Sequence, residues 1–378
     1  MKANQVPAAL QVEERTFLSR IDLNFALVIL ALNIIGLINL YSATHGVHVD
    51  GTSRLFWLQM AWLALGWAVF FVVTFIDYQW FYRLAYGLYA LNLGALIAVK
   101  YFGTASYGAQ RWLDLGFFRY QPSETMKLIM VIVLARILCQ HSSLQGLGFR
   151  KLAIPLALLA IPFILTVRQP DLGTAMMLMG VGGALFLFVK VKRSILLGGV
   201  LTLLVAAPLV WNYGLKEYQK NRILTFLSPD RDPRGTGYNS IQSRIAVGSG
   251  RILGKGFRKG TQSQLEFLPE RHTDFIFSVL SEEHGFIGSV TTVGLFMVLL
   301  IMGIKVATQA RDKFGALLVI GVVAYLFLHM VVNVGMVIGL LPIVGVPLPL
   351  LSYGGSSLLA TMAGLGLVSS VAYRRYLF

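Results

Sequence analysis

The sequence predicts an all-α polytopic membrane protein, with about ten transmembrane helices and one large extracytoplasmic loop between spans 7 and 8. Apolar residues make up 56% of the 378 residues, and charged residues make up only 13%. The charged residues cluster between long stretches that carry none. A helix that rises 1.5 Å per residue needs about 20 residues to cross a hydrocarbon layer of about 30 Å, and ten stretches come near that length.

The ten predicted spans occupy most of the chain. They lie near 21–41, 56–76, 81–100, 123–140, 152–167, 172–190, 194–213, 273–304, 314–340 and 350–373. The fifth is short, whereas the eighth and ninth are long enough to tilt or to continue past the bilayer. The chain thus divides into an N-terminal segment 1–20, spans 1–7 within 21–213, a large loop 214–272, spans 8–10 within 273–373 and a tail 374–378.

Basic residues predict the orientation of these spans. With the N-terminus inside, short inner segments hold fifteen of the 32 Lys and Arg residues and short outer segments hold six. The other eleven lie in the large loop, which the positive-inside rule largely exempts. Both termini are therefore predicted to be cytoplasmic. Much of the net charge of +15 is this orientation signal, so membrane lipids and phosphorylated substrates are the expected partners, and nucleic acid is not.

The large loop contains a glycine-rich segment, 248–256, that invites comparison with a phosphate-binding loop. A Walker loop needs four residues between its glycines and a hydroxyl after its lysine, whereas here three residues separate the second and third glycines and a glycine follows the lysine. A nucleotide site is therefore not expected, which leaves a flexible basic loop that meets a diphosphate, or a solvated linker. Residues 241–247 are typical of a short amphipathic surface helix, with Ile241 and Ile245 on one side.

Ionisable residues concentrate in 265–277, at the end of the large loop and the start of the eighth span. Charge beside hydrocarbon is costly, so an acidic residue at such a boundary is a candidate functional group. Asp274 is the candidate general base, and Phe275 and Phe277 are expected to desolvate it and raise its pKa. The alternative for Asp274 is a cap of the eighth span. Glu270 is the rival carboxylate and is assigned a supporting role.

Further polar residues lie at the ends of other spans. Arg111 and Trp112 belong to the second outer loop. Glu124 and Lys127, three residues apart at the start of the fourth span, share a helix face and are expected to pair. Their alternative is a glutamate favoured by the helix dipole beside a lysine that reaches toward lipid headgroups. Asp171 follows a proline at a helix start, where a plain N-cap explains it.

A proline-rich stretch, 340–357, follows the ninth span and predicts a rigid, re-entrant lining rather than a simple turn. Ser352 and Tyr353 either contact substrate or only satisfy the broken backbone. The six histidines give no HExxH pattern, and no metal ligand is assigned. Cys139 is the single cysteine, which excludes an intramolecular disulfide.

Five motifs carry a resemblance to a known family. They are YGAQRWLD at 107–114, QPSE at 121–124, QPDLGT at 169–174, GTQSQLEFLPERHTDFIF at 260–277 and PLPLLSYGGS at 347–356. Through them the chain, from about 21 to 373, resembles the SEDS family (shape, elongation, division, sporulation). Gln262 and Gln264 within the fourth motif, together with Arg271, look more like RodA, the elongation member, than like FtsW, the division member.

The resemblance implies a bacterial peptidoglycan glycosyltransferase that polymerises lipid II into glycan strands at the outer face of the plasma membrane during cell elongation. It also implies a divalent cation, Mg or Mn, and a class B penicillin-binding protein transpeptidase as partner, for which the exposed faces of the eighth and ninth spans are the expected contact. The family's essential acidic residue matches Asp274, and its ionic pair in the fourth helix matches Glu124 and Lys127.

The chemistry of that reaction assigns roles to the candidates. Joining two lipid-linked disaccharides needs a base for the acceptor 4-hydroxyl and positive charge for the departing diphosphate. One carboxylate is enough for an inverting displacement, and Asp274 fits that role. Lys127, Arg111 and Arg271 are expected, with the basic loop, to hold the diphosphate. The full set of candidate substrate-binding residues is Arg111, Trp112, Glu124, Lys127, Asp171, Gln262, Gln264, Glu270, Arg271, Ser352 and Tyr353.

Two other classes of function stay open. A lipid II flippase would use the same basic, polar cavity, but it would need ionisable groups near mid-bilayer, whereas the acidic residues here concentrate at outer span ends. A non-catalytic scaffold that only recruits a transpeptidase would need no buried carboxylate. Polymerisation of lipid II in detergent, where no sidedness exists, separates the enzyme from both.

Overall fold

The computed structural model of the chain describes residues 22–44, 53–106, 109–116, 118–141, 146–228, 236–265 and 267–375. The predicted N-terminal segment 1–20 and the last three residues of the predicted tail lie outside this part. Within it, a helix occupies each of the ten predicted spans. These helices are α1 (Leu23–Thr44), α2 (Arg54–Phe75), α3 (Tyr78–Phe102), α4 (Pro122–Cys139), α5 (Phe149–Arg168), α6 (Leu172–Phe188), α7 (Arg193–Leu209), α11 (Ile276–Thr308), α12 (Lys313–Val337) and α13 (Gly355–Arg374).

Smaller elements fill the connections. Between α7 and α11 the described chain forms a π-helical turn (Val210–Gly214), α8 (Glu217–Leu227), α9 (Thr236–Ser249) and α10 (Thr261–Gln264). Between α3 and α4 it forms a small antiparallel sheet of strands β1 (Thr104–Ser106), β2 (Ala109–Asp114) and β3 (Arg119–Tyr120), in that order.

Eight of the ten helices are long and apolar enough to cross a membrane, when α7 is counted together with the π-helical turn that extends it to Gly214. The exceptions are α4 and α6. α6 is apolar but has only 17 residues. α4 has 18 residues and carries three charged side chains, Glu124, Lys127 and Arg136. The prediction of an all-α polytopic membrane protein is confirmed, since each predicted span coincides with a helix to within a few residues.

α4 forms the centre of the bundle. Fourteen of its 18 residues are buried, and it packs against α3, α6, α12 and α13. A helix enclosed by protein on all sides has no single apolar stripe, because every face meets another side chain. α7 is the opposite case, since none of its apolar stretch is buried in the described structure. The charged side chains of α4 are therefore shielded from lipid by the helices around it.

α11 is broken at Gly285, whose φ of 65° and ψ of −159° interrupt the helix. This conformation is essentially restricted to glycine. The kink leaves peptide groups without partners inside the helix, and the segment 251–256 supplies them. Four backbone hydrogen bonds join the two segments: Phe286 N to Arg251 O (2.8 Å), Ile287 N to Ile252 O (3.2 Å), Lys255 N to Glu282 O (3.0 Å) and Gly256 N to Glu283 O (3.0 Å).

The glycine-rich segment 248–256 owes its composition to this contact. A Cβ on Gly250 would lie 2.0 Å from the Ser281 carbonyl oxygen, and one on Gly254 would lie 2.1 Å from the Glu283 carbonyl oxygen. The glycines thus let two backbones approach closely. The solvated-linker interpretation is wrong for this backbone, because it is packed and hydrogen-bonded against α11.

The predicted helix over 241–247 is part of α9, but its buried face differs from the predicted one. Ser240, Ser243 and Ala246 are buried, whereas Ile245 is 46% exposed. The Ser243 hydroxyl donates to the carbonyl of Val337 at 3.1 Å. Small residues allow α9 to lie close to α11 and α12, with which it packs. Packing space, not hydrophobicity, selects the inner face of this helix.

Replacing Gly250 by alanine is expected to lower the melting temperature of the purified protein, because the added methyl group would overlap the Ser281 carbonyl. Overpacked sites of this kind cost about 1–3 kcal/mol. Gly248→Ala is the matched control, since nothing lies within 4 Å of its added Cβ. The control should keep or slightly raise the melting temperature, because alanine favours a helix over glycine. Equal melting temperatures for the two variants would contradict the close contact.

Candidate active site

Asp274 lies directly before α11, at the end of the polar segment that precedes this helix. The N-cap position of α11 is occupied by Phe275, so Asp274 does not serve as the cap that was its alternative role. Phe275 and Phe277 are buried, as the sequence predicts. The carbonyl of Asp274 accepts a hydrogen bond of 2.9 Å from the side-chain amide of Asn333. The backbone around the carboxyl is therefore held from α12.

The irregular segment 338–354 closes over the residues that precede α11. The Ser352 hydroxyl donates to the Thr273 carbonyl at 2.7 Å and accepts from the Leu348 N–H at 2.8 Å. The Tyr353 N–H donates to the His272 carbonyl at 2.9 Å. Of the two predicted roles for Ser352, the structure favours satisfaction of the broken backbone. Each of these bonds also fixes the position of the neighbouring Asp274.

The surroundings of Asp274 make its carboxyl a much weaker acid than usual. Burial is the largest cause, and it raises the pKa of Asp274 from 3.8 to about 7. The negative charges of Glu270 and Asp171 add to the rise, while the positive charges of Arg222 and Arg111 oppose it. These five residues, called the Asp274 cluster below, come from four separate segments of the chain. All of them except Arg222 were selected from the sequence.

Arg111 and Asp171 connect the small sheet to the start of α6. Their guanidinium and carboxylate groups are 3.9 Å apart, and the Arg111 guanidinium donates to the Pro170 carbonyl. Asp171 is the N-cap of α6 as predicted, because its carboxylate accepts from the Thr174 N–H at 3.3 Å. Trp112, the neighbour of Arg111 on β2, is half-buried. Asp171 thus caps a helix and carries an ion pair at the same time.

Arg222 is the functional candidate that sequence reasoning missed, and it comes from α8. A helix-start signature was present there, since Glu217 favours the helix dipole and the Gln219 side chain accepts from the Lys216 N–H at 2.9 Å. Arg222 borders a cavity of about 90 Å³ between α8, α9 and the segment 338–354. The cavity is lined by Arg222, Thr225, Phe226, Asn239, Ser240 and Ile343.

The predicted residues before Asp274 make contacts that position this segment. The Gln264 side chain and the Arg271 guanidinium donate to carbonyls at the C-terminal end of α1, at 3.3 and 2.7 Å. The Gln262 N–H donates to the Glu282 carboxylate at 3.0 Å. These residues therefore fix the chain that carries Asp274 between α1 and α11.

Two carboxylates that were not selected from the sequence, Glu282 and Glu283, are fully buried in the first part of α11. Glu282 accepts from the Lys255 ammonium at 2.7 Å, and Glu283 accepts from the Ser42 hydroxyl at 2.5 Å. Two adjacent acidic residues inside a predicted span were the signal that could have found them. Both lie beside the kink and hold α1 and the segment 251–256 against α11.

Glu124 and Lys127 form the predicted pair in the interior of the bundle. Their charged groups are 2.8 Å apart, and Lys127 is only 1% exposed. The Lys127 ammonium also lies 2.9 Å from the His329 ring and 5.6 Å from the centre of the Tyr325 ring. The alternative of a lysine that reaches toward headgroups is therefore wrong. His329 and Asn333 are one turn apart on α12, so this pair lies about one turn deeper than Asp274.

The Asp274 cluster combines a proton acceptor with positive charge. A carboxyl whose pKa is about 7 can take up and release a proton at neutral pH, as a general base must. Arg222 and Arg111 supply positive charge that stabilises an anionic leaving group near the same carboxyl. The arrangement suits a displacement in which a hydroxyl loses a proton while an anion departs.

The divalent cation that the family resemblance implies would need oxygen ligands. Among the described residues, no group of three or more His, Cys, Asp or Glu side chains is placed to hold a metal ion. Glu270 and Asp171 act on Asp274 through charge without forming such a group. The Mg or Mn that the family resemblance implies stays a prediction, because one or two carboxylates together with substrate phosphates can hold such an ion, and no step of the reaction is assigned to a metal.

Known proteins share this architecture along the whole chain. Residues 22–377 match the family of cell cycle proteins that includes FtsW, RodA and SpoVE. The chain is 41% identical over 366 residues to the peptidoglycan glycosyltransferase MrdB of Escherichia coli K12, covering 96% of each protein.

Solved structures are similar as well. A chain from a peptidoglycan synthase complex, studied for the structural coordination of polymerization and crosslinking, has a TM-score of 0.80 and 32% identity, covering 95% of this chain and 99% of that one. RodA, the rod shape determining protein of Thermus thermophilus, has a TM-score of 0.70 and 29% identity, covering 94% of this chain and 98% of that one.

Removing one partner of the Glu124–Lys127 pair is expected to destabilise the protein more than removing both. Glu124→Gln leaves a buried ammonium without its counter-charge, and Lys127→Met leaves a buried carboxylate, so each should cost about 3–5 kcal/mol. The double variant buries neither charge and should cost less than the sum. Thermal unfolding of the four proteins measures the coupling, and strictly additive losses would argue against a buried pair.

Proposed function

The chain belongs to the FtsW, RodA and SpoVE family of cell cycle proteins, and we propose that Asp274 is the general base of its reaction. It is a multi-pass membrane protein and a peptidoglycan glycosyltransferase of cell elongation. The substrate that we propose is lipid II, polymerised into glycan strands at the outer face of the plasma membrane. The observation that carries the proposal is a carboxyl with a pKa of about 7 at the start of α11.

In the proposed reaction the acceptor 4-hydroxyl attacks the anomeric carbon of the donor sugar. Asp274 takes the hydroxyl proton as the new glycosidic bond forms. The bond between the anomeric carbon and the diphosphate breaks, and the electron pair leaves with the diphosphate. The acceptor attacks from the side opposite the leaving group, so the configuration inverts. A second carboxylate acting as nucleophile is not needed for this outcome.

We assign the diphosphate to the positive side of the Asp274 cluster. Arg222 borders a cavity, and Arg111 is held beside Asp171 on the small sheet. Both guanidinium groups are close enough to lower the pKa of Asp274, so they lie near the proposed reaction centre. A planar guanidinium matches phosphate oxygens with paired donors. Arg271 and Lys127 are assigned positioning and structural roles, because their groups already contact α1 and Glu124.

The outer position of this cluster is part of the proposal. It is supported by the excess of basic residues in the short segments at the opposite ends of the spans. Lipid-linked sugars are used on that side and nucleotides are not, which agrees with the absence of a Walker spacing in 248–256. Both termini are then cytoplasmic.

A class B penicillin-binding protein transpeptidase is the proposed partner. The similar chain from a peptidoglycan synthase complex, in which polymerization and crosslinking are coordinated, supports this assignment. Exposed apolar residues on α12, among them Phe327 and Val331, supply a face of the kind that a single partner helix would cover.

The rate of lipid II polymerisation by the purified protein is expected to rise with pH and to level off above about 7, the pKa of Asp274. Below that value the rate should fall about tenfold per pH unit, because the protonated carboxyl cannot accept the hydroxyl proton. Asp274→Ala should abolish glycan synthesis at every pH. The expected result is a folded Asp274→Ala protein that is inactive in detergent. Full polymerisation by this variant would show that Asp274 is not the base.

Stability provides the control for that variant. The folded pKa of Asp274 is raised above its ordinary value of 3.8, so the unfolded chain ionises first and this group opposes folding increasingly between pH 3.8 and about 7. Asp274→Asn should therefore melt at the same or a higher temperature than the unmodified protein at pH 8, with a smaller difference at pH 5. A variant that is inactive yet at least as stable has lost chemistry and not its fold.

Arg222→Ala is expected to slow polymerisation by about a hundredfold, the typical loss when one stabilising donor is removed from an anionic transition state. It should also move the rising limb of the pH profile to higher pH, because the Arg222 charge lowers the pKa of Asp274. Arg222→Lys should keep the position of the limb better than it keeps the rate. Lys220→Ala, on the same helix and paired with exposed Glu217, is the matched control. A rate loss without a shift of the limb would place Arg222 outside the cluster.

A further inference from the structure

Residues 251–259, called the basic tip below, combine exposed apolar and basic side chains. Ile252 is 66% exposed, Leu253 is 78% exposed and Phe257 is 44% exposed. The same nine residues contain four basic side chains, those of Arg251, Lys255, Arg258 and Lys259, and no acidic one. Exposure of a large apolar surface to water is unfavourable. We therefore expect these apolar side chains to be in contact with a membrane or another molecule.

The basic tip is held in a fixed position. Its backbone pairs with α11 on both sides of Gly285, through the four hydrogen bonds described above. The Lys255 ammonium reaches back to the buried carboxylate of Glu282 at 2.7 Å. Phe257 stacks on Tyr41 of α1, with ring centres 6.2 Å apart. The backbone of the tip is therefore fixed by contacts with α1 and α11, while its apolar side chains remain exposed.

The level of the basic tip relative to the bilayer follows from α11. Residues 286–304 carry no charged side chain, and these 19 residues extend about 28 Å at 1.5 Å each, close to the thickness of the hydrocarbon layer. Glu282 and Glu283 precede this stretch, separated from it by His284 and Gly285, and both are buried in protein. The edge of the hydrocarbon on the Asp274 side is thus at the level of Gly285.

The backbone bonds place the basic tip at that edge. Arg251 and Ile252 accept hydrogen bonds from Phe286 and Ile287, the first two residues of the uncharged stretch. Phe286 and Ile287 are themselves 65% and 53% exposed, as lipid-facing side chains are. The exposed apolar residues of the tip therefore lie beside lipid-facing residues of α11, at the same depth.

We infer that the basic tip is an interfacial anchor, which inserts Ile252 and Leu253 into the margin of the bilayer and places Arg251, Arg258 and Lys259 among the phosphates of anionic lipids. An apolar surface flanked by basic groups has the chemistry of interfacial binding. Lys and Arg are attracted to an anionic membrane surface, and their long side chains can extend from apolar surroundings to the headgroups. The depth of the tip is the same for either orientation of the chain in the membrane.

This anchor is distinct from the Asp274 cluster. Ile287 follows Asp274 by thirteen residues, and the kink at Gly285 lies between them. The charges that shift the pKa of Asp274 belong to Glu270, Arg222, Asp171 and Arg111, and none of these is in the basic tip. The tip connects the loop that precedes Asp274 to the membrane surface without contributing to the reaction.

The test uses the full chain in lipid nanodiscs, with Cys139→Ser and an environment-sensitive fluorophore attached at Leu253→Cys. Quenching by lipids with a shallow spin label should exceed quenching by aqueous iodide. The ratio of lipid-inserted to water-exposed label should be higher in anionic than in neutral nanodiscs. Changing Arg251, Arg258 and Lys259 to Gln should lower this difference by about fivefold for each basic residue removed. Lys255 is kept because it pairs with Glu282. Met297→Cys, which is 42% exposed near the middle of the uncharged stretch 286–304, marks full lipid contact.

The matched control changes the same number of charges at the opposite ends of the spans. Lys190, Lys192 and Arg193, all exposed between α6 and α7, are replaced by Gln, and the lipid preference at Leu253→Cys should not change. Free access of iodide in both types of nanodisc would overturn the inference. So would protection that arises only when a transpeptidase is added, or only when lipid II is added, because the tip would then contact protein or substrate. The same label in Asp274→Ala should give unchanged quenching, which separates this inference from the proposed reaction.

Discussion

Backbone groups beside hydrocarbon must find hydrogen-bond partners inside the protein, and this constraint organises the site. The chain is irregular at the α11 kink and again in 338–354. At the kink the missing partners come from residues 251–256, and in 338–354 they come from the side chains of Ser352 and Asn333. Because Ser352 and Asn333 also bond the carbonyls of Thr273 and Asp274, the bonds that satisfy irregular backbone also fix the carboxyl before α11.

The carboxylates of Glu124 and Asp274 show how their surroundings separate a structural role from a chemical one. Glu124 faces an ammonium at 2.8 Å, and the charges of that pair are compensated locally. Among the residues that the structure describes, Asp274 has no such single partner. Burial and two carboxylates raise its pKa, while two arginines restrain the rise. A close ion pair would keep its pKa low, and burial without arginines would raise it further. The intermediate pKa depends on the balance of all these contributions.

Much of the fold could be predicted because its signals are local. Apolar stretches of span length locate the ten helices, an i, i+3 spacing pairs Glu124 with Lys127, and an aspartate after a proline caps α6. The missed features depend on contacts distant in sequence. Arg222 becomes a candidate only when α8 is placed beside Asp274. The inner face of α9 is selected by the space available next to α11 and α12, so its isoleucines gave a misleading signal.

The position of the two charges on α4 also bears on how the chain is assembled in the membrane. His329, the other neighbour of the Lys127 ammonium, is synthesised about two hundred residues after Lys127. Without Glu124, the lysine would therefore have no polar neighbour until α12 had been made. Glu124 is in the same helix turn, so the ammonium is neutralised as soon as α4 coils. The helix can then leave the translocation machinery as a nearly neutral segment and be enclosed afterwards by α12 and α13. The pair is thus as much a provision for insertion during synthesis as a contact of the finished bundle.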